Sequence, residues 1–157
     1  MNLRSLKDYW HTVRYLKPKQ IASRIWFSLH KPAPDLAPAP LVRERFGQWI
    51  EPARLQPSLT GPGKLLFCNQ EADLDTVGWD NPDIPKLWRY NQHYFEDLVA
   101  EGFETRKDWH YDLIARWIRE NKPGVGTGWE PYPISRRIIN WIKWALDGAS
   151  INADVLH

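Results

Sequence analysis

A chain of 157 residues has room for one domain with a real core, and 21 Lys and Arg against 19 Asp and Glu leave a net charge of +2, too balanced for a nucleic-acid footprint. Aromatic residues make up 13% of it, with ten tryptophans; a flat indole with one N–H donor suits cores, interfaces and sugar platforms alike. The single cysteine, Cys68, excludes an intramolecular disulfide and a cysteine zinc cluster, and reads as a small core residue.

The opening MNLRSLKDYWHTVRYLKPKQ has no apolar h-region and no small-residue cleavage site, so no export signal is expected from it. No stretch approaches 18 apolar residues, and no membrane span is expected. Leu3, Leu6, Trp10 and Val13 recur at helical spacing, and a second short helix is expected from Lys19 to His30. KPAPDLAPAP, residues 31–40, holds four prolines and reads as an extended linker or wrapping arm. The expected organisation is an N-terminal helical segment over 1–30, a proline-rich linker over 31–62 and the start of a helical domain over 63–157.

KLLFCN, residues 64–69, reads as a short strand after the turn TGPG. NQEADLDTVGWDNPDIP is turn-rich, and its acidic residues lack calcium-loop spacing. From Pro85 the chain reads as helix: LWRYNQHYFEDLVAEGF carries Leu87, Tyr90, Tyr94 and Leu98 at helical intervals and stops at Gly102. Asp108 is the expected N-cap of WHYDLIARWIREN. GVGTG, residues 124–128, follows no strand and reads as a flexible loop, not a dinucleotide cradle. A final helix is expected from Pro133 to Gly148. The fold class is therefore mainly α with a minor β element.

At about 100° per residue the final helix places Ile134, Ile138, Trp141 and Ala145 on one stripe with Arg137 at its edge. Arg136, Asn140 and Lys143 fall on the opposite half, so Arg136 is expected to be solvated. Ahead of this helix, Pro131 and Pro133 hold Glu130 and Tyr132 in extended backbone, which stiffens the presentation of Trp129, Glu130 and Tyr132. These residues and Arg137 form a candidate binding wall; spacing alone favours a purely structural use, with Glu130 paired to Arg137 and Trp129 plugging a helix gap. LWRYNQHYF adds Arg89, Tyr90, Asn91, His93 and Tyr94. His93 has no second histidine at metal spacing, so neither a metal nor another cofactor is expected.

WRYNQHYFEDL followed by WIRENKPGVGTGWEPYPISRRIINWIKW resembles the N-terminal helical domain of heparinase II/III-like polysaccharide lyases, over roughly residues 64–147. Gln92 and Arg136 depart from that likeness, standing where the family usually has aliphatic residues. The resemblance implies a partial (α/α) toroid of helical hairpins and β-elimination on uronic-acid-containing polysaccharides. That chemistry needs the uronate carboxylate neutralised, a base for the C5 proton and an acid for the leaving oxygen. By the resemblance those groups lie in downstream sequence, and Asn140 is not the neutralising Asn. The chain is thus expected to supply no catalytic residue and to be inactive alone. Its expected contribution is a substrate-binding wall of Trp129, Glu130, Tyr132, Arg137, Asn91, His93 and Tyr94, facing an acidic polysaccharide or oligosaccharide. Apolar faces of an unfinished ring are expected to favour self-association. The alternative is a non-catalytic carbohydrate-binding or scaffold domain. The family is often periplasmic, which leaves the compartment open.

Overall fold

The computed structural model describes residues 11, 14–30, 35, 37–38, 41 and 47–148, in two units, Met1–Asp35 and Leu36–His157. The helix expected on Leu3, Leu6, Trp10 and Val13 lies outside the described residues, as does most of the proline-rich segment. In the first unit, helix α1 spans Pro18–Leu29. Pro18 occupies its first turn, where no N–H is needed, and Gln20 Oε1 accepts from Lys17 N at 2.8 Å. None of its residues is buried.

In the second unit, β1 (Leu59–Gly61), β2 (Lys64–Phe67) and β3 (Gln70–Asp73) form an antiparallel sheet in sequence order. Leu59 and Leu65 pair in register on its buried face. Cys68 and Asn69 close the β2–β3 hairpin with φ of 52° and 59°, both left-handed, as a tight two-residue hairpin turn requires. Cys68 is consequently exposed rather than a core residue. The apolar run ends one position before it because the chain must reverse there.

The segment read as irregular contains β3 and one helical turn, α2 (Leu74–Val77). Asp73 caps α2 by accepting from Asp75 N at 2.9 Å, and Leu74 is fully buried. Helix α3 (Lys86–Gln92) stops ten residues before the expected Gly102. Two side chains account for the stop. Gln92 Nε2 and His93 Nε2 both reach the carbonyl of Trp79, which draws residues 92–93 off the helix path. Phe95 then turns left-handed at φ 57°, held there by edge-on packing of its ring on Trp141 and Trp117. Two short 3₁₀ turns follow, Glu96–Val99 and Phe103–Arg106.

Helix α4 (Lys107–Glu120) buries His110, Leu113, Ile114 and Trp117, a 3.6-residue stripe. Arg106 is its N-cap, so Asp108 lies inside the first turn, where its charge still complements the helix dipole. Helix α5 (Pro131–Leu146) starts two residues earlier than expected, with Pro131 at its first position. Its buried face is also turned by about 100° from the expected one. Its buried positions are Pro133, Arg137, Asn140 and Trp144, while Ile138, Ile139 and Ile142 are exposed.

The rotation has a cause in hydrogen bonding. Asn140 Nδ2 donates to the buried Tyr94 carbonyl at 2.8 Å, and Arg137 donates to the buried Gly128 carbonyl at 2.7 Å. Tyr94 lies in a turn and Gly128 in the 3₁₀ turn Thr127–Trp129, and these side chains supply their carbonyls with buried donors, so polar groups must point inward. Trp144, fully buried, supplies the apolar area on the same face; burial of a large side chain contributes about 2–3 kcal/mol. The core joins it to Leu74, Trp79, Trp88, Leu98, Phe103, Ile114 and Trp117.

The stretch before β1 is fastened by carboxylates. Asp147 accepts from Trp49 Nε1 and Arg54, both at 2.7 Å. Asp97 accepts from the backbone N–H of Ser58 and Leu59, from Arg106 at 2.8 Å and from His110 at 2.7 Å. Burial alone would raise the Asp97 carboxyl, but the donors, His110 and Arg106 foremost, outweigh it and hold it at about 2.

Candidate functional site

The proposed wall residues fall into two groups. Glu130, Tyr132 and Tyr94 meet at the N-terminal corner of α5. Glu130 sits at the N-cap with extended backbone, the conformation that Pro131 imposes. Its carboxylate accepts from Lys86 Nζ at 3.0 Å and from the Tyr90 hydroxyl. Those bonds, Tyr90's first, hold Glu130 below the usual carboxylate range, so it is an anion and an acceptor at neutral pH. Lys86 also lies 5.0 Å from the centre of the Tyr90 ring.

Tyr132 is not extended as expected: it lies in the first turn of α5, where Pro133 is tolerated. It projects into solvent, 57% exposed, with its ring edge-on to Tyr94 at a centroid distance of 5.6 Å. Burial, and then the neighbouring Tyr132 and Glu96, push the Tyr94 hydroxyl up to about 12. It therefore keeps its proton at neutral pH. Arg136 completes the corner. Its guanidinium pairs with Glu96 and lies 6.0 Å from the Tyr94 ring, so it is not the freely solvated arginine expected. Asn91, on the preceding helix, spends its amide on Leu87 O at 2.7 Å.

Trp129, Arg137 and His93 form the second group, inside. The Arg137 guanidinium lies 4.0 Å from the Trp117 ring centre, 5.2 Å from Trp129 and 6.0 Å from Trp141. No hydrogen bond or ion pair joins it to Glu130 among the described residues; both halves of the expected pair have other partners. Burial pushes Arg137 down to about 10, which leaves it a cation at neutral pH.

His93 is fully buried, and its tautomer follows from its neighbours. Trp117 Nε1 donates to His93 Nδ1 at 2.9 Å, so the proton resides on Nε2 and faces Trp79 O and Thr127 Oγ1, each at 3.2 Å. Burial first, and then the charge of Arg137, lower its pKa to about 4. His93 is a neutral structural residue with no route to a ligand.

The glycine-rich loop is latched rather than free. Asp80 accepts from Thr127 N at 3.1 Å and from Thr127 Oγ1 at 2.9 Å, and Arg89 braces it at 3.0 Å. A Cβ on Gly126 would come within 2.6 Å of Asp80 Oδ2, and one on Gly128 within 2.7 Å of His93 Nδ1. Both glycines are required for close approach. Among the described residues no group of three or more His, Cys, Asp or Glu is placed to hold a metal ion, and no helix is long and apolar enough to cross a membrane.

Comparison with family models, curated proteins and solved structures finds no match in any of the three. An exposed tyrosine ring, an ionised carboxylate, an ammonium and a guanidinium share one rigid corner. That set can stack on a sugar face, accept from hydroxyls and pair with a carboxylate. At neutral pH Glu130 is an anion that accepts hydrogen bonds, and Tyr94 keeps its proton. Sequence reading missed Lys86 and Glu96; the spacing of 40 or more residues that separates them from Glu130 and Arg136 carries no local signal.

Proposed function

We propose that this chain is the N-terminal part of a polysaccharide lyase acting on uronic-acid-containing glycans by β-elimination. Its helices supply the first hairpins of an (α/α) toroid, and the corner at Glu130 and Tyr132 is a wall of the sugar-binding cleft. The observation that carries the reading is the outward presentation of Tyr132 beside the Lys86–Glu130–Tyr90 cluster. The run GWEPYPISRRIINWIKW and its likeness to the lyase family supply the substrate class. By the same likeness, the groups that make the proton transfers lie elsewhere in the family's fold.

Calorimetric titration of the chain with oligouronates tests this. Tyr132→Ala is expected to weaken binding about tenfold, the value of one lost stacking platform, with an unchanged fold. Absence of binding to every uronate oligomer, or equal binding by Tyr132→Ala, overturns the reading. Ultraviolet absorbance from unsaturated uronate ends, generated by this chain alone, would instead give it the catalytic role withheld here.

A further inference from the structure

Ile134, Ile138 and Ile142 recur every fourth residue along α5, and the last two are 49% and 52% exposed. Together with Ile118 of α4 they line a groove of about 350 Å³ whose remaining walls are largely indole, including Trp129 and Trp141. That volume lies in the range of small-ligand sites. Arg137 also lines the groove and is 4% exposed, and among the described residues its hydrogen-bond partner is Gly128 O. Among the described residues no carboxylate pairs with it. The buried indole N–H groups of Trp129 and Trp141 are likewise without a partner.

A buried cation normally has an anion or a full set of acceptors, because desolvating a charge costs several kcal/mol. Stacking on indoles offsets part of that cost but leaves most of the guanidinium's fork of donors unused. The groove around it has the complementary character: apolar flanks, one amide, Asn121, and no acidic side chain among its lining residues. A polyhydroxylated sugar chain would find too few polar partners on the isoleucine walls.

We infer that this groove binds a small amphiphilic carboxylate, its apolar body lying along Ile134, Ile138 and Ile142 and its carboxylate bonding the free N–H groups of Arg137. The site shares no ligand contact with the Glu130–Tyr132 corner, so it stands apart from the lyase reading. The carboxylate would be held in charge-assisted, two-point geometry, which distinguishes it from an uncharged ligand of the same shape. Arg137 is a cation at neutral pH, as the site requires.

The test uses decanoate, below its micelle concentration, titrated into the chain with tryptophan fluorescence as the readout. Decanol serves as the uncharged counterpart. Saturable quenching by decanoate is expected, at least tenfold tighter than by decanol. Arg137 is itself core, so the charge requirement is read at the half-exposed Ile138. Ile138→Glu is expected to weaken decanoate at least tenfold by placing a second anion beside it, and Ile138→Lys to change it less than threefold. No saturable quenching overturns the inference, as do equal affinities for decanoate and decanol or equal losses in the two variants. Sedimentation equilibrium adds one more way to fail: a dimer dispersed by both Ile138 variants would make the groove a contact between copies. Oligouronate binding is measured on the same samples and is expected to be unaffected by either variant.

Discussion

Arg136 and Arg137 are neighbours in sequence and opposites in surroundings. Arg136 lies at the surface, paired with Glu96 beside Tyr94. Arg137 lies in the interior, stacked on three indoles with a backbone carbonyl as its hydrogen-bond partner. Glu96 and Asp97 repeat the contrast in acids: the first makes one partly exposed ion pair, the second is buried beneath four donors. One position along a helix turns a side chain by about 100°, enough to change what its charge is for. At the surface the charge is available to a ligand; in the interior it organises the fold first.

The contrast is broken most directly at Arg137. Arg137→Ala should lose stacking on Trp117 and leave a cavity, lowering stability by about 4 kcal/mol in a denaturant titration. A loss below about 1 kcal/mol would mean that the interior does not depend on it. Arg137→Lys should recover little, because an ammonium cannot stack flat and bond sideways together.

Acid sharpens the same contrast. His93 is held at about 4 against an unfolded value near 6.5, so below pH 6.5 the unfolded chain takes up this proton first. Stability is then lost as pH falls from about 6.5 to 4, by roughly 3 kcal/mol. His93→Gln should flatten that limb, and NMR titration in an Arg137→Met background should show the imidazole pKa rising. An unchanged pKa there would detach His93 from the arginine. Asp97 acts lower. Its carboxyl, at about 2, stabilises the fold above its unfolded value near 3.9, and about 2 kcal/mol disappears between pH 4 and 2. Asp97→Asn should remove that limb while lowering stability at neutral pH.

The smallest effect is expected at the surface. Arg136→Ala should cost less than about 1 kcal/mol, as exposed ion pairs do, while weakening oligouronate binding severalfold. A stability loss matching that of Arg137→Ala would erase the distinction between the two positions.

Much of this arrangement was legible in the sequence, and the failures share a cause. α1, α4 and α5 follow from apolar spacing and proline placement, and the extended Glu130 follows from Pro131; Pro133 does not keep Tyr132 extended, because both prolines fit the first helical turn. What was misread depends on a distant backbone atom. The end of α3 is set by the carbonyl of Trp79, thirteen residues before Gln92. The inward face of α5 is set by the carbonyls of Gly128 and Tyr94, which only a polar side chain can satisfy. A helical wheel sorts residues by hydrophobicity and cannot see an acceptor awaiting a donor. It therefore placed the isoleucines inside and Asn140 outside.

The hairpin tip has a practical consequence for all of these measurements. The only thiol of the chain is exposed at a position whose left-handed backbone favours asparagine or glycine. In an oxidising buffer two such tips can couple through an intermolecular disulfide, and a covalent pair would imitate self-association. Cys68→Asn removes that artefact with a residue suited to the turn. The native thiol, kept reduced, is instead a single attachment point for a dye or a surface.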